Sequence, residues 1–305
     1  MTLPIYATPL ERTWHLVRGA MCCLVFLFLI APILIVIPLS FNAEPYFTFT
    51  QKMLSLDPTG YSMRWYDALL TTGMHTPDAA HSSSWWSDMW QNSQWVGAAR
   101  NSIIIGFFST LIATSMGTLA ALGLSRPEMP ARRIIMAILI SPMIVPIIIT
   151  ATGLFFFYSS IRIQDWGIPY LGIVLAHAVL GIPFVIITVT ATLVGFDHSL
   201  TRAAASMGAA PWTIFRGITL PLILPGMISG GLFAFVTSFD EVVVVMFIAS
   251  PEEQTIPRQM WNGIRESISP AILSVATILV IVSVLLLTTV ELLRRRGERM
   301  KSSPI

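Results

Sequence analysis

Asp240 and Glu241 are the only charged residues between Gly217 and Ser250, a stretch otherwise apolar enough to cross a bilayer. Charge at that depth is costly and normally faces a water-filled cavity or a partner. The chemistry open to these carboxylates is contact with a cationic solute, and Thr237, one turn earlier, can add a hydroxyl. Adjacent helical residues point about 100° apart, so only one of the two can face a pathway. Two other uses stay open: proton coupling by a titrating carboxylate, and bonding to a neighbouring helix or subunit. His177 stands alone in an apolar run, and a hydrogen-bonded packing histidine accounts for it better than a metal ligand does. Cys22 and Cys23 are adjacent, which is poor geometry for a disulfide to each other. The chain contains no G-x-x-x-x-G-K-[ST] phosphate loop, no paired-histidine zinc motif and no G-x-S-x-G elbow. It therefore has no site of those kinds for ATP or for hydrolysis, and no cofactor of its own is expected.

The elements that must position these residues are membrane helices. Hydrophobic residues make up 54% of the 305 and charged residues only 11%, against about a quarter charged in soluble domains. Crossing a ~30 Å hydrocarbon core takes roughly 20 apolar residues. Six segments qualify: Ala20–Phe41, Asn101–Leu124, Ile134–Ile161, Gly167–Phe196, Gly217–Ser250 and Ile268–Val290. Their apolar runs are continuous rather than alternating, so helices are expected and barrel strands are not. The first is longer than a signal-peptide core, lacks a clear cleavage site and is read as an uncleaved span.

Lysine and arginine set the expected orientation. Arg12, Arg18, Arg126, Arg132, Arg133, Arg202, Arg216, Arg294, Arg295, Arg296, Arg299 and Lys301 fall on one side, 12 of the 18. Both termini are thus expected in the cytoplasm, with residues 1–19 as an N-terminal cytoplasmic segment and 294–305 as a basic tail. Residues 42–100 then face outward. Trp85, Trp86, Trp90 and Trp95 near the end of that segment read either as an interfacial aromatic belt or as a docking surface. Glu291, one turn before Arg294 and Arg295, reads as an interfacial ion pair. Gly226 and Gly230 form a G-x-x-x-G step for close helix packing, within the chain or between subunits. Six prolines inside spans (Pro32, Pro38, Pro142, Pro146, Pro183 and Pro225) are expected to kink their helices.

Between the fourth and fifth spans, residues 197–217 read as two short helices around a bend. Ser199 or Asp197 suits an N-cap, and Ala203, Ala204 and Ala205 are strong helix formers. Gly208 suits a left-handed stop, and Pro211 suits the first turn of the next helix. Trp212, Ile214 and Phe215 are expected to anchor that second helix. The alanine face is small enough for close approach by another protein.

This loop resembles the EAA loop of permease subunits of ATP-binding-cassette importers: E-A-A, three residues, Gly, nine residues, I-x-L-P. Ala203, Ala204, Gly208, Ile218, Leu220 and Pro221 fall at the matching positions, while Arg202 stands where the family has Glu. Ser40-Phe41-Asn42, Arg64-Trp65-Tyr66, Ser238-Phe239-Asp240-Glu241 and Thr255-Ile256-Pro257-Arg258-Gln259-Met260-Trp261 are similar to spermidine/putrescine-type permeases; residues 71–94 match nothing in that pattern. The resemblance implies an all-α membrane protein of the type I importer fold in a bacterial inner membrane. It implies residues 101–293 as a permease core, with Arg202, Ala203, Ala204, Ala205, Gly208 and Ala209 coupling to the ATPase. It further implies a second permease, two ATPase subunits that hold ATP and Mg, and an external substrate-binding protein, with a polyamine as cargo and no nucleic acid. The alternatives left open are a proton-coupled secondary transporter and an importer of another small solute, such as an amino acid derivative.

Overall fold

The computed structural model describes residues 8–79, 81–126, 128–194, 196–266 and 269–301, with side chains from Leu286 onward described only at Thr288. The side chains of the Glu291 pair and of the basic tail therefore lie outside those described. No β-strand occurs among the described residues, only one isolated bridge, Asn42 with Tyr61. The helices divide into two compact units, residues 1–85 with 263–305 and residues 86–262.

In the first unit, α1 runs Pro9–Leu39, eleven residues earlier at its start than the expected first span. A capping box explains the difference: Glu11 N–H donates to Thr8 Oγ1 at 3.3 Å, and Thr8 N–H donates to Glu11 Oε2 at 2.8 Å. Pro9 supplies the first turn. Two short helices follow, α2 (Gln51–Leu54) and α3 (Arg64–Thr71). Between them Asp57 caps a single 3₁₀ turn, and the Thr59 N–H on its carboxylate holds its pKa below the ordinary value. Here the distant Ser40-Phe41-Asn42 and Arg64-Trp65-Tyr66 stretches meet. Ser40 Oγ lies 2.7 Å from Tyr66 Oη, Trp65 Nε1 donates to the Asn42 carbonyl at 2.8 Å, and the Phe41 and Tyr66 rings are 5.0 Å apart. The last helix of the chain, which belongs to this unit, runs Ala271–Lys301, and Ser274 Oγ donates to the Ser40 carbonyl at 3.3 Å.

The chain reaches the second unit along α4 (Ser83–Asn92), whose Trp85 is buried while Trp86 and Trp90 are exposed. Next comes α5 (Gln94–Leu124), capped by Ser93. The third expected span is broken. Its halves α6 (Arg132–Ile144) and α7 (Ile147–Ser160) meet at 102°. The cause is local: Pro146 drives Val145 into extended backbone, with φ −67° and ψ 134°, and ends the helix before it. The fourth span is α8 (Leu171–Val194). After it come α9 (His198–Ser206) and α10 (Pro211–Ile214). A π turn at Phe215–Thr219 then leads into α11 (Leu220–Asp240). Pro221 has no N–H for the Gly217 carbonyl, and the wider turn absorbs that lost bond, with Leu220 N–H bonding back to the Phe215 carbonyl.

The expected fifth span does not run unbroken to Ser250. It stops at Asp240 and resumes as α12 (Val243–Ile248). Past a 3₁₀ turn at Pro251–Glu253 lies α13 (Ile256–Glu266), and the terminal helix described above is α14. By length and composition four of the described helices can cross a bilayer, five with the bent pair, and the described apolar part of α14, Ala271–Leu285, is shorter.

The core of the second unit is α5, α8 and α11, with Ala113, Ala121, Val185, Val189, Ile223 and Ala234 buried between them. Lipid offers no hydrophobic drive for such packing, so close contact of small residues has to supply it. A Cβ on Gly226 would meet Thr192 Oγ1 and lie 3.0 Å from the Thr188 carbonyl; one on Gly230 would meet Thr188 Oγ1 and lie 2.7 Å from Val185 Cα. Both glycines of the G-x-x-x-G step therefore serve α8 of the same chain.

Candidate functional site

Two regions hold the residues singled out above. In the loop, Asp197 rather than Ser199 is the cap of α9, its Oδ1 accepting Ser199 N–H at 2.8 Å. The helix closes as a Schellman motif. Ala209 N–H bonds to the Ala204 carbonyl at 3.1 Å, Gly208 N–H bonds to that of Ala205 at 3.0 Å, and Gly208 takes φ +84°. Arg202, Ala203, Ala205 and Gly208 are exposed, Ala209 is partly exposed, and Ala204 packs inward at 9% exposure. The exposed alanines and the glycine form the small-residue part of this rigid elbow, flanked by the exposed side chains of Arg202 and Met207. Trp212 departs from its expected role as an anchor. It is 67% exposed and stacks on Phe215 at 5.5 Å, while Ile214 and Phe215 are half-buried.

At the far end of α11 the two carboxylates separate. Asp240 is exposed, and Thr237 on the same helix is half-buried. Glu241 is buried, at 8% exposure, and its Oε1 accepts Val244 N–H at 3.0 Å. It caps the start of α12. At the other end of α12, Arg258 Nη1 donates to the carbonyls of Val245 and Ala249 at 3.2 and 3.1 Å. A carboxylate at the N-terminus and a guanidinium at the C-terminus both complement the helix dipole and satisfy orphan backbone groups. Burial pulls the Arg258 pKa down from its ordinary value. Thus Glu241 is held by the backbone, and of the pair only Asp240 faces open space.

A buried polar chain behind this face was not legible in the sequence beyond the lone histidine. His177 Nδ1 lies 2.8 Å from Ser238 Oγ, which lies 2.9 Å from Ser109 Oγ, which in turn lies 2.6 Å from the Ile105 carbonyl. It ties α8, α11 and α5 together. His177 Nε2 has no hydrogen-bond partner among the described residues. A second network gathers at Asn101, which composition marked only as the edge of a span. Its Nδ2 donates to the carbonyls of Glu252 and Gln254 at 2.9 and 3.0 Å, and its Oδ1 accepts Tyr170 Oη–H at 2.8 Å. Glu253 Oε1 accepts the Tyr170 N–H at 2.9 Å. These bonds hold the connection between α12 and α13 against α5.

Residues 113–299, more than half of the chain and including the loop, both carboxylates, α8 to α13 and most of α14, match the model of the binding-protein-dependent transport system inner membrane component. The chain belongs to this family. It is a membrane component of a multi-part transport system, and a self-sufficient secondary transporter is set aside. Among curated proteins it is 29% identical over 280 residues to a spermidine/putrescine transport system permease protein, PotC, of Haemophilus influenzae, covering 92% of this chain and 97% of that one. It is 28% identical over 282 residues to the putrescine transport system permease protein PotI of Escherichia coli, covering 91% and 88%. Among solved structures it matches a chain of a bacterial ABC transporter involved in the import of the acidic polysaccharide alginate. That match has a TM-score of 0.64 at 17% identity and covers 94% and 98%. The all-helical importer fold implied by the loop is the fold observed.

Proposed function

We propose that this chain is one of two permease subunits of an ATP-binding-cassette importer for polyamines. Its cargo is a small aliphatic cation handed over by an external binding protein. The observation that carries the cargo assignment is Asp240, the exposed member of the carboxylate pair in an otherwise apolar stretch, on a chain whose curated relatives carry putrescine and spermidine in their names. Two ATPase subunits, holding ATP and Mg, seat the elbow formed by Arg202, Ala203, Ala204, Ala205, Gly208 and Ala209. Their closure moves α11 through the π turn that joins it to the loop. Both termini and the elbow lie in the cytoplasm, and residues 42–100 face outward. Arg202 presents a cation to the ATPase where the family motif has an anion.

Purification in mild detergent from native membranes is expected to recover an ATP-binding-cassette ATPase and a second permease, and the reconstituted complex is expected to take up putrescine or spermidine only with ATP and the binding protein. Uptake by the chain alone would overturn the assignment. Within that complex Asp240→Asn is expected to cut uptake roughly 10- to 100-fold, the range of a lost charged hydrogen bond. Glu241→Gln keeps an oxygen for Val244 N–H and should stay within about threefold of wild type. Equal losses in the two variants would remove Asp240 from the pathway. A reporter enzyme active only in the cytoplasm, fused in turn to each terminus, is expected to be active at both.

A further inference from the structure

Phe233 lies two turns before Asp240 on α11. Seven residues turn a helix through about 700°, so the two side chains leave it within about 20° of each other, separated by ~10 Å along the axis. Thr237 stands between them. Phe233 is 54% exposed, and its ring stacks on Phe184 of α8, with centroids 6.1 Å apart and planes 19° from parallel. Ser229 and Val236 complete the exposed strip. An exposed carboxylate at the end of an apolar helix faces water or a partner rather than hydrocarbon, and the strip it shares is turned the same way. The opposite flank of α11 has a different character. A groove of about 390 Å³ between α5 and α11 is lined by Leu224, Met227, Ile228, Leu232 and Phe235, with Gly231 and two threonines, and it holds no charge.

We infer that the Phe233–Phe184 pair is a second cation-binding point, set two turns from Asp240, and that this spacing selects for longer oligoamines. The inference rests on the proposed polyamine cargo. A cation over an aromatic face is attracted by the ring quadrupole, and more strongly where water is excluded. Stacking on Phe184 fixes the Phe233 ring, so its open face is presented without loss of rotamer freedom. An extended triamine with three- and four-carbon spacers holds its outer nitrogens roughly 11 Å apart, and a four-carbon diamine roughly 6 Å. With one ammonium at Asp240, the triamine reaches Phe233 and the diamine falls short. Thr237 offers a hydroxyl acceptor to the nitrogen between.

The test uses the complete complex with its ATPases and binding protein in proteoliposomes, comparing spermidine with putrescine uptake. Phe233→Leu is expected to lower spermidine uptake about tenfold more than putrescine uptake, the scale of one desolvated cation–π contact. Phe233→Tyr, which keeps the ring face, should restore the wild-type ratio. A ratio unchanged by Phe233→Leu overturns the inference, whether both rates fall together or neither falls. Should the wild-type complex carry neither amine, the cargo assignment itself fails, and that failure shows in the unsubstituted protein.

Discussion

Deleting Ala203–Gly208 is expected to abolish ATP-driven uptake while leaving the permease folded. The segment is rigid for identifiable reasons: Asp197 closes one end of α9, the Schellman bonds close the other, and Gly208 reverses the chain at φ +84°. Its outer side carries Arg202, Ala203, Ala205, Ser206, Met207 and Gly208, and a Cβ at Gly208 would meet nothing within 4 Å. Of the deleted residues only Ala204 packs inward, so the melting temperature in detergent should move only slightly. A subtler variant separates geometry from contact. Gly208→Val forces a β-branched residue into the left-handed region at a cost of about 1–2 kcal/mol. It should reduce uptake several-fold by loosening the elbow, whereas Gly208→Asn, which tolerates that conformation, should be milder. Measuring uptake, ATPase stimulation by the binding protein and co-purification of the ATPase on the same samples distinguishes lost docking from lost coupling. Normal uptake after the deletion would sink the coupling role.

Gly230→Leu is expected to destabilise the second unit strongly. Its Cβ would lie 2.7 Å from the α carbon of Val185, a backbone atom that cannot rotate away, and would also meet Thr188 Oγ1. Overpacking of this kind costs about 1–3 kcal/mol and occasionally more, and α8 would have to move off α11 to accommodate it. Gly230→Ala should already lower the melting temperature. Gly231→Ala should do less, because its near neighbour is the tip of Thr114 at 2.9 Å, and Gly153→Ala should be silent, since nothing lies within 4 Å there. Fluorescence-detected thermal melts in detergent give the order Gly230, Gly231, Gly153. The reverse order, or an unaffected Gly230→Leu that fails only to assemble with its partner permease, would place the step at the subunit interface instead.

The site was partly legible. Charge inside an apolar run singled out Asp240 and Glu241 because burial of charge is so expensive that few such residues occur. Which of the two faces outward could not be read, because that depends on where α11 stops and where Arg258, distant in sequence, reaches α12. Asn101 gave no signal at all. A single amide at a span edge is ordinary, and its value lies in carbonyls more than a hundred residues away. Phe233 was hidden among many phenylalanines for the same reason.

By itself the sequence determined what depends on local chemistry: membrane residence, the helical class, the spans to within a few residues at most ends, and the helix–Gly–Pro build of the loop. Hydropathy, capping and left-handed glycine are properties of a residue and its near neighbours, so spacing alone expresses them. Tertiary structure decided the stop of α11 at Asp240, the pairing of G-x-x-x-G with α8 and the burial of Glu241. Each of these depends on which helix comes to lie alongside, and in a lipid solvent that choice is made by close packing and hydrogen bonds between distant segments rather than by hydrophobicity, which every span shares.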